Sequence, residues 1–173
     1  MKIGLIGAGR LGLCLALLMD KAGYSVIASD VREDYVNGLQ QGEVITTEPL
    51  VGQYLESARR IEFTTDNLRV IEESDIIFTL VLTPSLENGS YDVSNVDDVV
   101  SDILKYGWNK DLSNKSLVIG CTTNPGDCDF FQDRLSETGI SVFYNPEFIA
   151  QGSIIKDLQN ADMVLLGGDG KHK

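Results

Sequence analysis

Lys2-Ile3-Gly4-Leu5-Ile6-Gly7-Ala8-Gly9-Arg10-Leu11-Gly12 is the stretch that decides the fold. An apolar run of strand length leads straight into a Gly-x-Gly-x-x-Gly loop. The loop then opens a helical pattern in which Leu11, Leu15, Leu18, Met19 and Ala22 recur on one face. Glycine triplets alone occur by chance in loops; strand, triplet and helix in that order form a dinucleotide-binding turn. Gly7 permits the tight turn, Gly9 lets the backbone approach a pyrophosphate, and Gly12 lets helix pack close on strand. The anion then sits at the helix N-terminus, where free N–H groups and the helix dipole favour negative charge.

Working outward, short β runs alternate with longer helical patterns, which predicts an α/β fold: a doubly wound, mainly parallel sheet with helices on both faces, of Rossmann type. Strands are expected at Lys2–Ile6, Tyr24–Ser29, Ile61–Thr64, Asp75–Leu82, Ser116–Gly120, Ser141–Tyr144 and Met163–Leu166. Helices are expected after Gly9 and over Arg32–Gln40, Leu50–Arg60, Asn95–Tyr106 and Gly126–Glu137, with a short one inside Asn145–Gln159. Residues 1–168 read as one domain and 169–173 as a frayed tail. Asp30 ends the second strand 18 residues after Gly12, near the offset of about 20 at which a carboxylate meets the adenosine ribose. A carboxylate there accepts hydrogen bonds from the 2′- and 3′-hydroxyls and repels a 2′-phosphate, so the expected cofactor is NAD. Arg32 beside it is expected near the adenine or exposed.

Composition excludes several classes. Fourteen Lys and Arg against 26 Asp and Glu give a net charge of −12, with no basic stripe for nucleic acid. Cys14, Cys121 and Cys128 have neither metal-ligand nor disulfide-framework spacing. The chain starts directly on a strand, and no apolar run approaches the roughly 18 residues of a membrane span. A cytoplasmic protein is expected. The single histidine, His172, lies in the tail, so imidazole-based hydride chemistry is not expected.

Ligands of a doubly wound sheet bind beyond the carboxyl ends of its strands. Three polar segments fall there: Thr83-Pro84, Cys121-Thr122-Thr123-Asn124-Pro125-Gly126 and Asn145-Pro146-Glu147-Phe148. Each alone suits an ordinary turn; three on successive strand ends suggest a ligand rim. Glu147 is the carboxylate at its mouth and a candidate general base. Thr122 is a candidate hydrogen-bonding partner for a substrate hydroxyl or a water.

With these residues the chain resembles the N-terminal domain of the UDP-glucose/GDP-mannose dehydrogenase family. The likeness rests on the loop Gly7–Gly12, Asp30, Glu48-Pro49, Ile61-Glu62-Phe63-Thr64-Thr65-Asp66, Asp75-Ile76-Ile77-Phe78 with Thr83-Pro84, Asn88-Gly89-Ser90 with Asp92, and Asn145-Pro146-Glu147-Phe148 with Gly152-Ser153. It implies an oxidoreductase that converts the C6 alcohol of a UDP- or GDP-sugar to the carboxylate with two NAD, supplying a polysaccharide precursor. By that resemblance Gly7, Gly9, Arg10, Leu11, Gly12, Asp30, Arg32, Thr83, Thr122 and Gln151 line the cofactor. Thr122 and Glu147 are catalytic, Glu147 as acid/base in thioester hydrolysis, and Glu147, Phe148, Ile149, Ala150 and Gln151 touch the nucleotide sugar. The resemblance also implies a homodimer and a second domain that carries the nucleophilic Cys, neither of which this chain supplies. Gln151 stands where the family often has Glu, and Tyr35 where it commonly has Lys. The alternative is a stand-alone NAD-binding sensor, which needs Gly7–Gly12 and Asp30 but neither Thr122 nor Glu147. Another β-hydroxyacid-type dehydrogenase shares the loop, but the Asn-Pro-Glu-Phe segment argues against it.

Overall fold

A computed structural model describes residues 1–168; the expected tail, with His172, lies outside the described residues. The elements run β1 (Lys2–Ile6), α1 (Arg10–Lys21), β2 (Ser25–Ser29), α2 (Glu33–Gln40), α3 (Val51–Ser57), β3 (Ile61–Thr64), α4 (Asn67–Glu73), β4 (Ile76–Thr79), α5 (Ser94–Gly107), β5 (Ser116–Ile119), α6 (Asp127–Leu135), β6 (Ser141–Tyr144) and α7 (Ile154–Gln159). The sheet order is β3-β2-β1-β4-β5-β6, and every pair is parallel. Winding runs outward from β1 through β2 to β3, then returns through α4 to β4 on the other side of β1. Ile3 therefore faces Val26 on one flank and Ile76 on the other. The reversal between β1 and β4 opens a crevice at the carboxyl edge, where a ligand fits.

Side chains alternate along each strand, and both faces are covered. Leu5 and Ala28 pack with Leu17 of α1, Val36 of α2, Val51 of α3 and Ile154 of α7. Ile27, Ile77 and Ile119 pack with Ile71 of α4, Ile103 of α5 and Phe131 of α6. Burial on both sides is why the strands read as near-continuous apolar runs. No helix among the described residues is long and apolar enough to cross a membrane.

The structure departs from expectation in three places. Met163–Leu166 is not a strand; these side chains are exposed, and only Gly167 pairs, antiparallel, with Tyr144. An apolar run alone cannot form a strand where no neighbour packs on it. The expected strand Asp75–Leu82 keeps only Ile76–Thr79, because its end turns out at the carboxyl edge and leaves Leu82 exposed. Helix α4 was not foreseen. Asp66 caps it by accepting the Arg69 N–H, a signal of the usual kind hidden in a short polar stretch.

Asp20, near the end of α1, is buried and accepts the N–H groups of Arg59 at 3.1 Å and Arg60 at 2.6 Å. The Arg60 carbonyl in turn accepts the Val26 N–H at 2.7 Å, so this carboxylate sets the start of β3 against β2. Replacing Asp20 by Ala leaves two backbone donors unpaired and should cost about 1–3 kcal/mol in urea denaturation. Asp20→Asn keeps an acceptor and should cost less; equal losses would contradict this account.

Candidate functional site

The parallel ladder runs one residue past each central strand and so brings four loops to one edge. Gly7 and Ala8 both donate to the Ser29 carbonyl, Leu80 to Ile6, Gly120 to Thr79 and Asn145 to Ile119. The glycine loop, the segment holding Thr83, the Cys121–Gly126 turn and the Asn145–Ser153 loop all leave the sheet there. The segments singled out in the sequence thus share one rim.

Within the glycine loop the three glycines have different reasons. Gly7 has φ +99°, and a Cβ there would lie 2.6 Å from the Leu80 carbonyl oxygen. A Cβ on Gly12 would lie 2.1 Å from the Gly7 carbonyl oxygen. The protein's own packing therefore demands both. Around Gly9 a Cβ would meet nothing within 4 Å, and its φ of −66° suits any residue. The open space sits over the first turn of α1, whose leading amides lack helical acceptors. That space fits an anion brought against bare backbone.

Asp30, at the end of β2, is buried, and Arg32 is more than the exposed neighbour expected. Its Nε and Nη2 each donate to Asp30 at 2.8 Å, while its guanidinium carbon lies 4.1 Å from the centre of the Tyr35 ring. The Tyr35 hydroxyl donates to the Ala8 carbonyl at 3.0 Å and so reaches back into the glycine loop. Burial alone would raise the Asp30 carboxyl, but the hydrogen bonds and charge of Arg32 outweigh it and leave it below its usual value. Asp30 is a carboxylate at neutral pH, and its two oxygens have lone pairs to spare for hydroxyl donors.

On the far rim, Asn124 bonds both ways with the Tyr91 backbone, at 2.8 and 3.0 Å, and ties the Cys121–Gly126 turn to the loop after Thr83. Thr122 is exposed on this turn, and Thr83 is half-buried in the segment that follows β4. Glu147 is half-buried, and burial raises its carboxyl above the usual range. Phe148 and Ala150 face solvent, whereas Ile149 is partly buried and packs against the core on the α1 side of the sheet. Gln151 accepts from Arg10 Nη1 at 2.5 Å, which joins the glycine-loop helix to the Asn145–Ser153 loop. Burial pushes the Cys14 and Cys121 thiols up to about 12, so neither offers a thiolate. The residue that sequence reasoning missed is Glu48. Quoted there only as part of a family segment, it is buried and bonded to the Gly152 backbone across 104 positions, a distance that no local pattern signals.

The whole chain, residues 1–173, matches the UDP-glucose/GDP-mannose dehydrogenase family, NAD binding domain. The chain belongs to that family. It is 30% identical to the UDP-glucose 6-dehydrogenase of Rhizobium meliloti (strain 1021) over 98% of its length and 40% of that relative's. It is 32% identical to the enzyme of the same name from Rickettsia prowazekii (strain Madrid E), over 99% of this chain and 40% of the relative. Among solved structures, a ternary complex of GDP-mannose dehydrogenase from Pseudomonas aeruginosa superposes with a TM-score of 0.84 at 26% identity, covering 97% of this chain and 41% of that one. A UDP-glucose dehydrogenase from Pyrobaculum islandicum reaches a TM-score of 0.87 at 24% identity, over 97% and 40% of the two chains, and shows the shared fold. The chain therefore spans about 40% of the length of these relatives. It is the NAD-binding domain of a dehydrogenase family, and NAD is the cofactor.

The glycines separate stability from binding. Gly12→Ala should lower stability by about 2 kcal/mol or more through overlap with the Gly7 carbonyl. Gly9→Ala should leave the thermal midpoint within a few degrees yet weaken NAD at least about tenfold, or 1.4 kcal/mol, by calorimetry. Loss of stability without loss of binding in Gly9→Ala would contradict the open-cradle argument. Asp30 gives a pH test. Its folded value lies below its unfolded one, so what it contributes is present above the unfolded value near 4 and lost only as pH falls through the lower folded value. NAD affinity should be flat between about pH 8 and 5 and Asp30→Asn should weaken it; NADP binding as tightly as NAD would contradict the role of Asp30.

Proposed function

We propose that residues 1–168 are the NAD-binding unit of an enzyme that oxidises the C6 alcohol of a UDP- or GDP-sugar to the carboxylate. The balanced reaction takes one alcohol, one water and two NAD⁺ to a carboxylate, two NADH and three protons. The cofactor supplies the hydride acceptor. In this reading Gly9, Arg10, Leu11 and Gly12 face the pyrophosphate and Asp30 accepts the ribose hydroxyls while Arg32 neutralises it. Thr83, Thr122 and Gln151 border the nicotinamide half. Glu147 moves a proton to or from the water that hydrolyses the thioester, and Thr122 orients that water or the sugar hydroxyl. Residues Glu147–Gln151 contact the nucleotide sugar. The nucleophilic cysteine and a dimer interface belong to a second domain beyond Lys173, and the cytoplasm is the compartment.

The observation that carries this reading is Glu147. It is a half-buried carboxyl raised by desolvation, on a loop that leaves the same sheet edge as the glycine loop. A carboxyl held above its usual range can give and retake a proton nearer neutral pH. A sensor of NAD would gain nothing from keeping an acid poised there.

Glu147→Gln in the full-length protein should retain NAD affinity and stall as a covalent adduct with its nucleotide sugar, visible by intact-mass spectrometry. Turnover at the wild-type rate without an adduct would sink the assignment. The same variant carries a stability signature. A raised folded value means the stability contribution is complete below the unfolded value and lost as pH rises through the folded one. Glu147→Gln should therefore melt higher than wild type near pH 8, and the gain should vanish near pH 4.

A further inference from the structure

Glu48 lies in the loop between α2 and α3 and has no part in the reading above. It is 4% exposed, and its oxygens accept the N–H of Gly152 at 2.8 Å and of Ile154 at 3.4 Å. Among the described residues no Lys, Arg or His forms a salt bridge with it. A buried carboxylate without a cation is costly unless hydrogen bonds satisfy it, and these two amides do so. Its charge also reaches Cys14 of α1, where it adds to the larger effect of burial in raising that thiol. The side chain thus stands between α1 and the foot of the Asn145–Ser153 loop.

That loop is tied at both ends. At its start, the Asn145 N–H bonds to Ile119 and its side-chain amide donates to the Leu165 carbonyl. At its end, Ala150 N–H bonds to Asp157, and Gly152, with φ +93°, turns its amide down onto Glu48. Gln151 between them reaches Arg10 on the outside. That outer bond lies between exposed side chains and competes with water. Glu48 is the dry anchor.

We infer that Glu48 is a positioning residue: by fixing Gly152 and Ile154 it sets where Glu147–Gln151 stand against the nucleotide sugar. This rests on the proposal that 147–151 contact that substrate. The glycine loop is held separately, by the Ser29 carbonyl and the Tyr35 hydroxyl, so the diphosphate and ribose contacts of NAD are spared when Glu48 is lost, and Gln151 alone of the cofactor border shifts with it.

The test uses the full-length protein with UDP-glucose or GDP-mannose, whichever it oxidises. Glu48→Ala should raise the KM for the nucleotide sugar at least tenfold while the Kd for NAD stays within twofold. Amide exchange at 152–154 should speed up, with 11–13 unchanged. Glu48→Gln keeps one acceptor oxygen for Gly152 and should fall between Ala and wild type; if the Ala variant does not fold, Gln carries the same readouts. Unchanged exchange at 152–154 overturns the anchor. Faster exchange with an unchanged KM overturns its link to substrate, and a KM and NAD Kd that weaken together reduce Glu48 to a structural residue. Phe148→Ala in an otherwise wild-type background tests the substrate contact itself: a raised KM there upholds that reading however Glu48 behaves.

Discussion

The Ser29 carbonyl accepts the amides of both Gly7 and Ala8, at 2.9 and 2.8 Å, and this pair of bonds turns the chain out of β1. The turn requires the positive φ of Gly7, and the helix that follows can start at once only because Gly12 has no side chain to strike the Gly7 carbonyl. From that reversal follow the direction of α1, the face it covers and the open cradle at Gly9. Each later strand then joins the same edge in register, Ile6 beside Ser29 and Thr79, and Thr79 beside Ile119. A parallel sheet has all its exits on one side, so a single turn decides where chemistry occurs.

The charge pattern at this edge follows from what burial costs. Asp30 and Glu147 both lose solvent, yet their carboxyls move in opposite directions. Asp30 has a guanidinium two residues away that grips it with two parallel bonds, the strongest arrangement available to a carboxylate. Among the described residues Glu147 gains no such partner, and desolvation is the cause that raises it. The same physics yields an anion suited to hydrogen-bonding neutral ribose hydroxyls and a carboxyl that takes up a proton more readily than an ordinary one. Glu48, elsewhere in the fold, is buried and accepts the backbone amides of Gly152 and Ile154.

The fold was legible because its signals are local. Gly7–Gly12 sits between a strand and a helix in sequence, and the period-two and period-3.6 patterns of β1 and α1 need no distant partner. Asp30 was legible by its fixed distance from the loop. Met163–Leu166 misled because a short apolar run has the composition of a buried strand, while pairing depends on a neighbour lying outside the run. The fork of Arg32 on Asp30 and the ring of Tyr35 beneath it are short-range, but three side chains deciding jointly leave no pattern to read. Glu48 was illegible for the opposite reason: its two partners lie 104 and 106 positions away.

The long-range contacts also divide the edge into parts held fast and a part that spans. Tyr35 reaches Ala8 from the β2 side of the edge, and Asn124 and Tyr91 lock the turns beyond β4 and β5 to each other. The Asn145–Ser153 loop is suspended between fixed feet, and its middle carries Glu147 and the exposed Phe148. Residues that must follow a substrate through changes of charge and geometry belong on such a span. Those that hold an unchanging diphosphate belong on a helix N-terminus that the strands fix in place. The difference in restraint between Gly9 and Glu147 is the one that the proposed roles, one facing the cofactor and the other the substrate, would call for.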